Sequence, residues 1–246
     1  MGIDVKRFID RLDDHLFDND MKGAKECLSF WEREAKRLND ERGLLTVLNE
    51  SVGFFRRSGK KDSALNAVKE CLFLVDKLDL SKTLSGATIF INLATTLSSF
   101  GQSKEALELY DKAALCFEKA DRKESYEFAS LLNNKAATLY GLSRYDEAKK
   151  DWLYAIDILK RIGYHDGEIA ISLLMLSHLT FDSDGTAYEK VESLLDEAWE
   201  YLNSNNQPKD ERYAEVLRKC IPSFEYFKRP MEAEALREVI KEISFS

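Results

Sequence analysis

Apolar residues return every three or four positions along most of the chain, in stripes separated by short polar turns. Phe90, Leu93, Ala94 and Leu97 form one stripe, Phe100-Gly101 closes it, and Ala106, Leu109, Tyr110 and Ala113 form the next. Residues three and four apart share a helix face, so the pattern predicts two amphipathic helices joined by a tight turn. Gly101 is placed to take the left-handed residue that ends the first helix, and Gly59 takes that position one unit earlier.

The pattern repeats with a period of 42 residues: Ala64, Ala106 and Ala148 each follow a turn and open an amphipathic segment. The same offset of 42 links Ala94 to Ala136, Ala113 to Ala155, Asn92 to Asn134, Leu97 to Leu139, Glu105 to Glu147 and Tyr110 to Trp152. A methyl side chain lets two helices approach at the short end of the usual 8–10 Å range, while a large aromatic fills the adjacent hole. Small and large positions therefore recur together.

The run Asn92-Leu93-Ala94-x-x-Leu97, followed by Gly101-x-x-x-x-Ala106-x-x-x-Tyr110-x-x-Ala113, resembles the tetratricopeptide repeat signature. Ala136-x-x-Leu139, Tyr145-x-x-Ala148, Trp152 and Ala155 repeat it; Val52, Phe55, Gly59, Ala64, Val68 and Cys71 give a looser copy. The resemblance implies an all-α fold, a right-handed α–α superhelix of five to six helix pairs that binds proteins. The period exceeds the usual length of roughly 34 by about one turn per helix, and is similar to the long-helix repeats of kinesin light chain and of bacterial peptide-sensing regulators.

We expect one solenoid over 1–246, with units at about 1–42, 43–84, 85–126, 127–168, 169–206 and a divergent, capping pair at 209–246. In the first unit Phe8, Leu12 and Leu16 lead through Asn19-Asp20 to Ala24, Leu28 and Trp31. In the fifth, Ile171, Leu174, His178 and Phe181 stand for the first helix, with the small residue lost at 178; an inserted loop, Asp182 to Gly185, precedes Val191, Leu195 and Ala198. Asn203 to Pro208 is the most linker-like stretch. Pro222 is expected to kink its helix, and Pro230 suits the first turn of the last one.

Composition fits this picture: 44% apolar and 33% charged residues with Gly 11 and Pro 3 suit globular helices and argue against disorder or all-β structure. A net charge of −8 repels phosphate backbones, so nucleic acid is not expected as a partner. Cys27, Cys71, Cys116 and Cys220 stand far apart, without metal-ligand spacing, and read as buried thiols of a reducing compartment. The start of the chain lacks the apolar core of a signal peptide, and no apolar run reaches the roughly 20 residues a bilayer requires. A cytoplasmic protein without a membrane partner is the expectation.

In such solenoids the first helices line a concave face, and the period says what it carries. Asn49, Gly53 and Arg56 come from one unit, Thr88, Ile91, Asn92, Thr95 and Ser98 from the next, and Ser130, Asn133, Asn134, Ala137 and Tyr140 from the third. Asn offers a donor and an acceptor to an extended peptide backbone, and Asn92 and Asn134 would do so in register. Alternatively, each Asn bonds a neighbouring helix or a carbonyl in its own turn. A chaperone-tail clamp of the kind known in the family is disfavoured, because Glu50 would repel a carboxylate. Arg56, Arg57, Lys60, Lys61 and Lys82 form the densest basic cluster, which could favour an acidic partner segment; the stronger reading is a solvated helix end, which explains Arg56 to Lys61 without any ligand. Phe73, in the all-apolar run 71–75, is expected beneath a longer neighbouring helix, the alternative being a dimer or partner patch on the convex side.

His15, His165 and His178 fall in three different units, none in a triad or metal spacing, and His178 reads as a core residue with a local hydrogen bond. The Gly residues are single and fall at helix ends, so no phosphate loop is present. The expected function is a non-enzymatic adaptor that binds a protein or peptide, without cofactor, metal or catalytic residue. A peptide-sensing regulator and a self-assembling structural protein, such as a homodimer, are the alternatives.

Overall fold

Three-residue turns joining helices of similar length dominate the chain. The computed structural model describes residues 2–204, 206 and 208–245, among which there are twelve α-helices and no strand. They are α1 (Val5–Phe17), α2 (Met21–Arg37), α3 (Glu41–Arg57), α4 (Lys61–Lys77), α5 (Leu84–Ser99), α6 (Ser103–Lys119), α7 (Tyr126–Gly141), α8 (Tyr145–Ile162), α9 (Asp166–Ser183), α10 (Tyr188–Leu202), α11 (Glu211–Tyr226) and α12 (Pro230–Phe245). Consecutive helices pair into hairpins. The residues gather into two compact units, Met1–Ala120 and Asp121–Ser246. Met1 and Ser246, and Asn205 and Gln207 of the stretch read as a linker, lie outside the described residues.

The turns follow one design. After α5 the chain takes Phe100 as C-cap and Gly101 at φ 82°, then enters α6 from Gln102. Gln102 N–H donates to the Leu97 carbonyl at 2.9 Å and Gly101 N–H to that of Ser98 at 3.0 Å, the paired bonds of a Schellman motif. The residue that closes one helix thereby opens the next, which fixes the hairpin geometry. Corresponding bonds run from Asp20 to His15, Lys60 to Phe55, Arg144 to Leu139 and Arg229 to Phe224. Gly59 takes the left-handed position as expected, but Asn19, Ser143 and Lys228 hold it too, where glycine would be unstrained. Five first helices start on side-chain caps, with Asp4, Asp40, Thr83, Ser125 and Asp210 each accepting from a backbone N–H three residues on, whereas α9 starts at His165 without one.

Inside each unit the small seats are filled as the period demands. Ala64, Ala94, Ala106, Ala113, Ala136, Ala148 and Ala155 are all at 0% exposure, and Tyr110 and Trp152, one period apart, are buried beside them. Each buried aromatic contributes about 2–3 kcal/mol by removal from water, against about 0–1 kcal/mol for a half-exposed interhelical ion pair such as Lys160–Glu197. Packing therefore outweighs the ion pairs. In the first hairpin Phe8, Leu12, Ala24, Leu28 and Trp31 form one core cluster, with Leu16 packed at its edge.

The fifth hairpin corrects the sequence reading by one residue. Ala170 and Ser177, both buried, continue the Ala87–Ala129 and Ala94–Ala136 series at a spacing of 41 instead of 42. Three residues join α8 to α9 where six precede α5 and six precede α7, and the register moves by one, so Ile171, His178 and Phe181 are half-buried rather than at the seats. His178 donates or accepts at Ser223 Oγ, 3.1 Å away, and packs on Tyr226, the last residue of α11, and on its C-cap Phe227; burial lowers its pKa. Asp182 and Ser183 are the last residues of α9, not loop, and α11 continues through Pro222. Asp166 accepts from Ser204 and Asn206, so the start of α9 holds that connection.

Phe73 is 65% exposed, contrary to the expectation of burial: the neighbouring helices do not reach over it. It stands with Phe30 of α2 and Leu115 of α6, also exposed and 43 and 42 residues away, on the outer helices of the first unit. All four cysteines are free and buried, and burial pushes the Cys71 and Cys220 thiols up to about 12. No helix among the described residues is long and apolar enough to cross a membrane.

The turn geometry predicts opposite effects at equivalent positions. Gly101→Ala is expected to lower unfolding free energy by about 1 kcal/mol although its Cβ would meet no atom within 4 Å, since only the dihedral is strained. Lys228→Gly is expected to raise it by about 0.5–1 kcal/mol. Chemical denaturation of both variants checks this; equal effects would show that the turns do not carry this strain.

Candidate functional site

The residues predicted to line the first-helix face fall into two sets, one in each compact unit. In the first unit α3 packs beside α5, and Asn49, Gly53 and Arg56 share one face of α3 at helical spacing. Asn92 of α5 reaches across and donates from Nδ2 to the Asn49 carbonyl (2.9 Å) and to Asn49 Oδ1 (3.1 Å). Its own Oδ1 lies over Gly53, 3.9 Å from where a Cβ would stand. Its donors are therefore engaged in holding two first helices together, while its acceptor takes no bond from a described donor. Thr95 donates to the Ile91 carbonyl and meets the Tyr110 hydroxyl at 3.0 Å. Thr88 is exposed and donates within its own helix to Leu84. Arg42, Thr46, Asn49, Ser85 and Thr88 border a hollow of about 410 Å³.

The charges on this face are unevenly neutralised. Glu50 is half-buried, and burial raises its pKa, with Asp13 adding to the effect and Asn49 and Arg57 opposing it. Arg56 and Arg57 occupy the last turn of α3, but Lys60 is the N-cap and Lys61 the first residue of α4. The helix-end explanation thus covers the two arginines and not the lysines, which sit where the dipole disfavours cations. Lys82 lines a different hollow, with Glu105 and Glu108.

In the second unit a hollow of about 330 Å³ is bordered by Ser130, Asn133, Asn134, Glu168 and Lys219 together with the apolar Leu159, Ile171 and Val216. Ser172 Oγ donates to Asn133 Oδ1 at 2.9 Å, leaving the Asn133 amide protons to other acceptors. The Asn134 side chain has no hydrogen-bond partner among the described residues, and its backbone carbonyl accepts from Thr138. Tyr126 stacks on His165 (centroids 4.6 Å apart, 23° between planes) and donates to Glu168 at 3.3 Å. Tyr140 donates to Asp182 and packs against Trp152; burial, with Asp182, holds its phenol well above the usual range.

Sequence reading missed Arg42, Tyr126, Glu168 and Lys219 as members of these faces. A signal was available: Tyr126–Glu168 and Tyr140–Asp182 are each 42 apart, and Asn49–Asn92 is 43. Residues one period apart face each other across adjacent first helices, so complementary pairs at that offset mark the shared face.

The hairpin geometry is now matched by comparison. Residues 87–120, which span most of α5 and α6, match the tetratricopeptide repeat family model. The fold is tetratricopeptide-like. No curated protein matches the chain. Among solved structures, BtubC (BKLC) from P. vanneervenii is similar with a TM-score of 0.62 at 18% identity, covering 99% of this chain and 92% of that one. A putative kinesin light chain from Podosopora anserina, with nearly identical TPR-like repeats, gives 0.58 at 17% identity, covering 81% of this chain and 94% of its own. A Rap protein complexed with competence and sporulation factor gives 0.56 at 14% identity, covering 95% of this chain and 72% of that chain. At these identities the likeness is one of fold, and it agrees with the long-helix repeat inferred from the period.

The two period-related amides are expected to differ on substitution. Asn92→Ala should lower stability by about 1–2 kcal/mol through loss of both bonds to α3, whereas Asn134→Ala should change it by less than about 0.5 kcal/mol. Thermal and denaturant unfolding check this; equal losses would place Asn134 in a structural role as well.

Proposed function

We propose that this chain is a non-enzymatic adaptor that holds an extended protein or peptide segment on the polar face of its first helices. The observation that carries the reading is the Asn134 side chain, an amide on the rim of the hollow between α7, α9 and α11 with its donors and acceptor uncommitted among the described residues. Such a group matches a peptide backbone, which presents N–H and C=O in alternation. The Asn133 amide protons and the Asn92 Oδ1 add a donor and an acceptor of the same kind.

Peptide capture also agrees with the Rap structure, solved with a bound factor, although that likeness reaches no further than the fold. The three histidines support the non-enzymatic reading because each is engaged structurally: His15 with Asp20, His165 on Tyr126, and His178 at Ser223. The acidic residues of the outer helices pair largely with neighbouring Lys and Arg, as in Arg229 with Glu192 and Asp196. We place the protein in the cytoplasm on the strength of its free, buried thiols.

Replacing Asn134 with Arg puts a bulky charge on the face without touching the core. Affinity capture from native extract is expected to lose its specific partners with this variant while the unfolding midpoint stays within error of wild type. Unchanged capture would move the binding surface elsewhere.

A further inference from the structure

Of the cations on the α3–α5 face, Arg56 has an environment that its own fold does not explain. Its Nε is buried without a hydrogen-bond partner among the described residues. The two other buried side-chain atoms in that condition, Trp31 Nε1 and Thr96 Oγ1, are uncharged. Arg56 makes no ion pair with a described carboxylate, and its charged neighbour is another cation, Arg57. Burial first, and Arg57 next, push Arg56 below the usual guanidinium range. A half-buried guanidinium without a counter-ion is unfavourable in the free protein, and the missing element is an anion.

The surroundings specify which anion. Asn92 Oδ1 and Arg57 Nη1 lie 3.9 and 3.6 Å from where a Cβ on Gly53 would stand, one turn before Arg56. Gly53 itself is buried beneath these two groups, and Asn92 Oδ1, which takes no bond from a described donor, offers an acceptor for an N–H of a partner's main chain. A chain that continues past this point presents a side chain to Arg56, not its terminus. Glu50 lies one turn farther back, within the field of Arg57 and of Asp13, and so offsets Arg57 rather than Arg56. The Tyr110 hydroxyl, within the field of Arg56 and in contact with Thr95, supplies a further polar group.

Resting on the adaptor reading above, we propose that Arg56 is the anchor for the carboxylate of an Asp or Glu side chain within an extended segment of the partner, with Arg57 reinforcing it. The guanidinium fork suits a carboxylate in two-point contact, and seating it fills the vacant hydrogen-bonding positions of Arg56. Free Arg56 is then a source of instability kept for binding.

The test uses the full chain and a display library of short random peptides, with hits resynthesised as C-terminal amides so that no terminal carboxylate is present. Peptides selected on wild type are expected to share an acidic position. Changing that residue to its amide should weaken binding at least about tenfold, Arg56→Met should cause a similar loss, and the two changes together should cost little more than either alone. Free Arg56→Met should melt no lower than wild type, because it removes an unpaired buried charge; a purely structural arginine would give a lower midpoint, and that outcome overturns the proposal. Should Arg56→Met not fold, the proposal is likewise overturned. Arg56→Lys is expected to fold and to bind the acidic peptide with intermediate affinity; full wild-type affinity would count against the two-point contact. Selected peptides with no shared acid, or hits that bind only with a free C-terminus, would overturn the anchor and leave the adaptor reading standing. Failure to select any peptide would overturn both.

Discussion

Close approach between helices at methyl-sized seats is the constraint from which the rest of this structure follows. The alanines of the 42-residue series have no exposed surface, and bulky partners such as Tyr110 and Trp152 fill the neighbouring volume. A larger side chain at a seat would push two helices apart, and the shift would pass to every contact between them. Interiors packed at this density resist such displacement, with overpacking typically unfavourable by about 1–3 kcal/mol. The half-exposed ion pairs between outer helices contribute less and decorate an arrangement already set by the seats.

The turns translate that packing into repetition. Each Schellman closure makes the end of one helix the beginning of the next, so the angle between the two helices of a hairpin is set by local backbone bonds. Where the connection before α9 shortens from six residues to three, the seats shift by one position, to Ala170 and Ser177, and the small residues track the geometry instead of the count. Phe73 of α4 is left exposed because it points away from the buried stripe of Ala64, Val68, Cys71 and Val75.

Much of this was legible in the residue pattern, because the same side chains are both the signal and the cause. The alanine seats, the first-hairpin cluster and the glycine turns could be read directly, since each is one residue with one physical role. Left-handed Asn19, Ser143 and Lys228 could not, because these residue types also occur in ordinary conformations. The site was less legible for a related reason. Asn92 and Asn134 occupy equivalent positions in sequence, yet the Asn92 donors close on Asn49 while the Asn134 side chain stays uncommitted, a difference that depends on what the adjacent helix presents. The isolation of Arg56 likewise depends on where Glu50 and the lysines of α4 come to lie.

The central claim is that methyl-sized seats, more than surface pairing, hold the hairpins in place. It is tested most directly by the unfolding free energy of Ala148→Leu, with Lys150→Leu on the exposed side of the same helix as the control. A loss of about 2 kcal/mol or more at 148, with a change within about 0.5 kcal/mol at 150, is the result this account predicts. An Ala148→Leu protein as stable as wild type would contradict it.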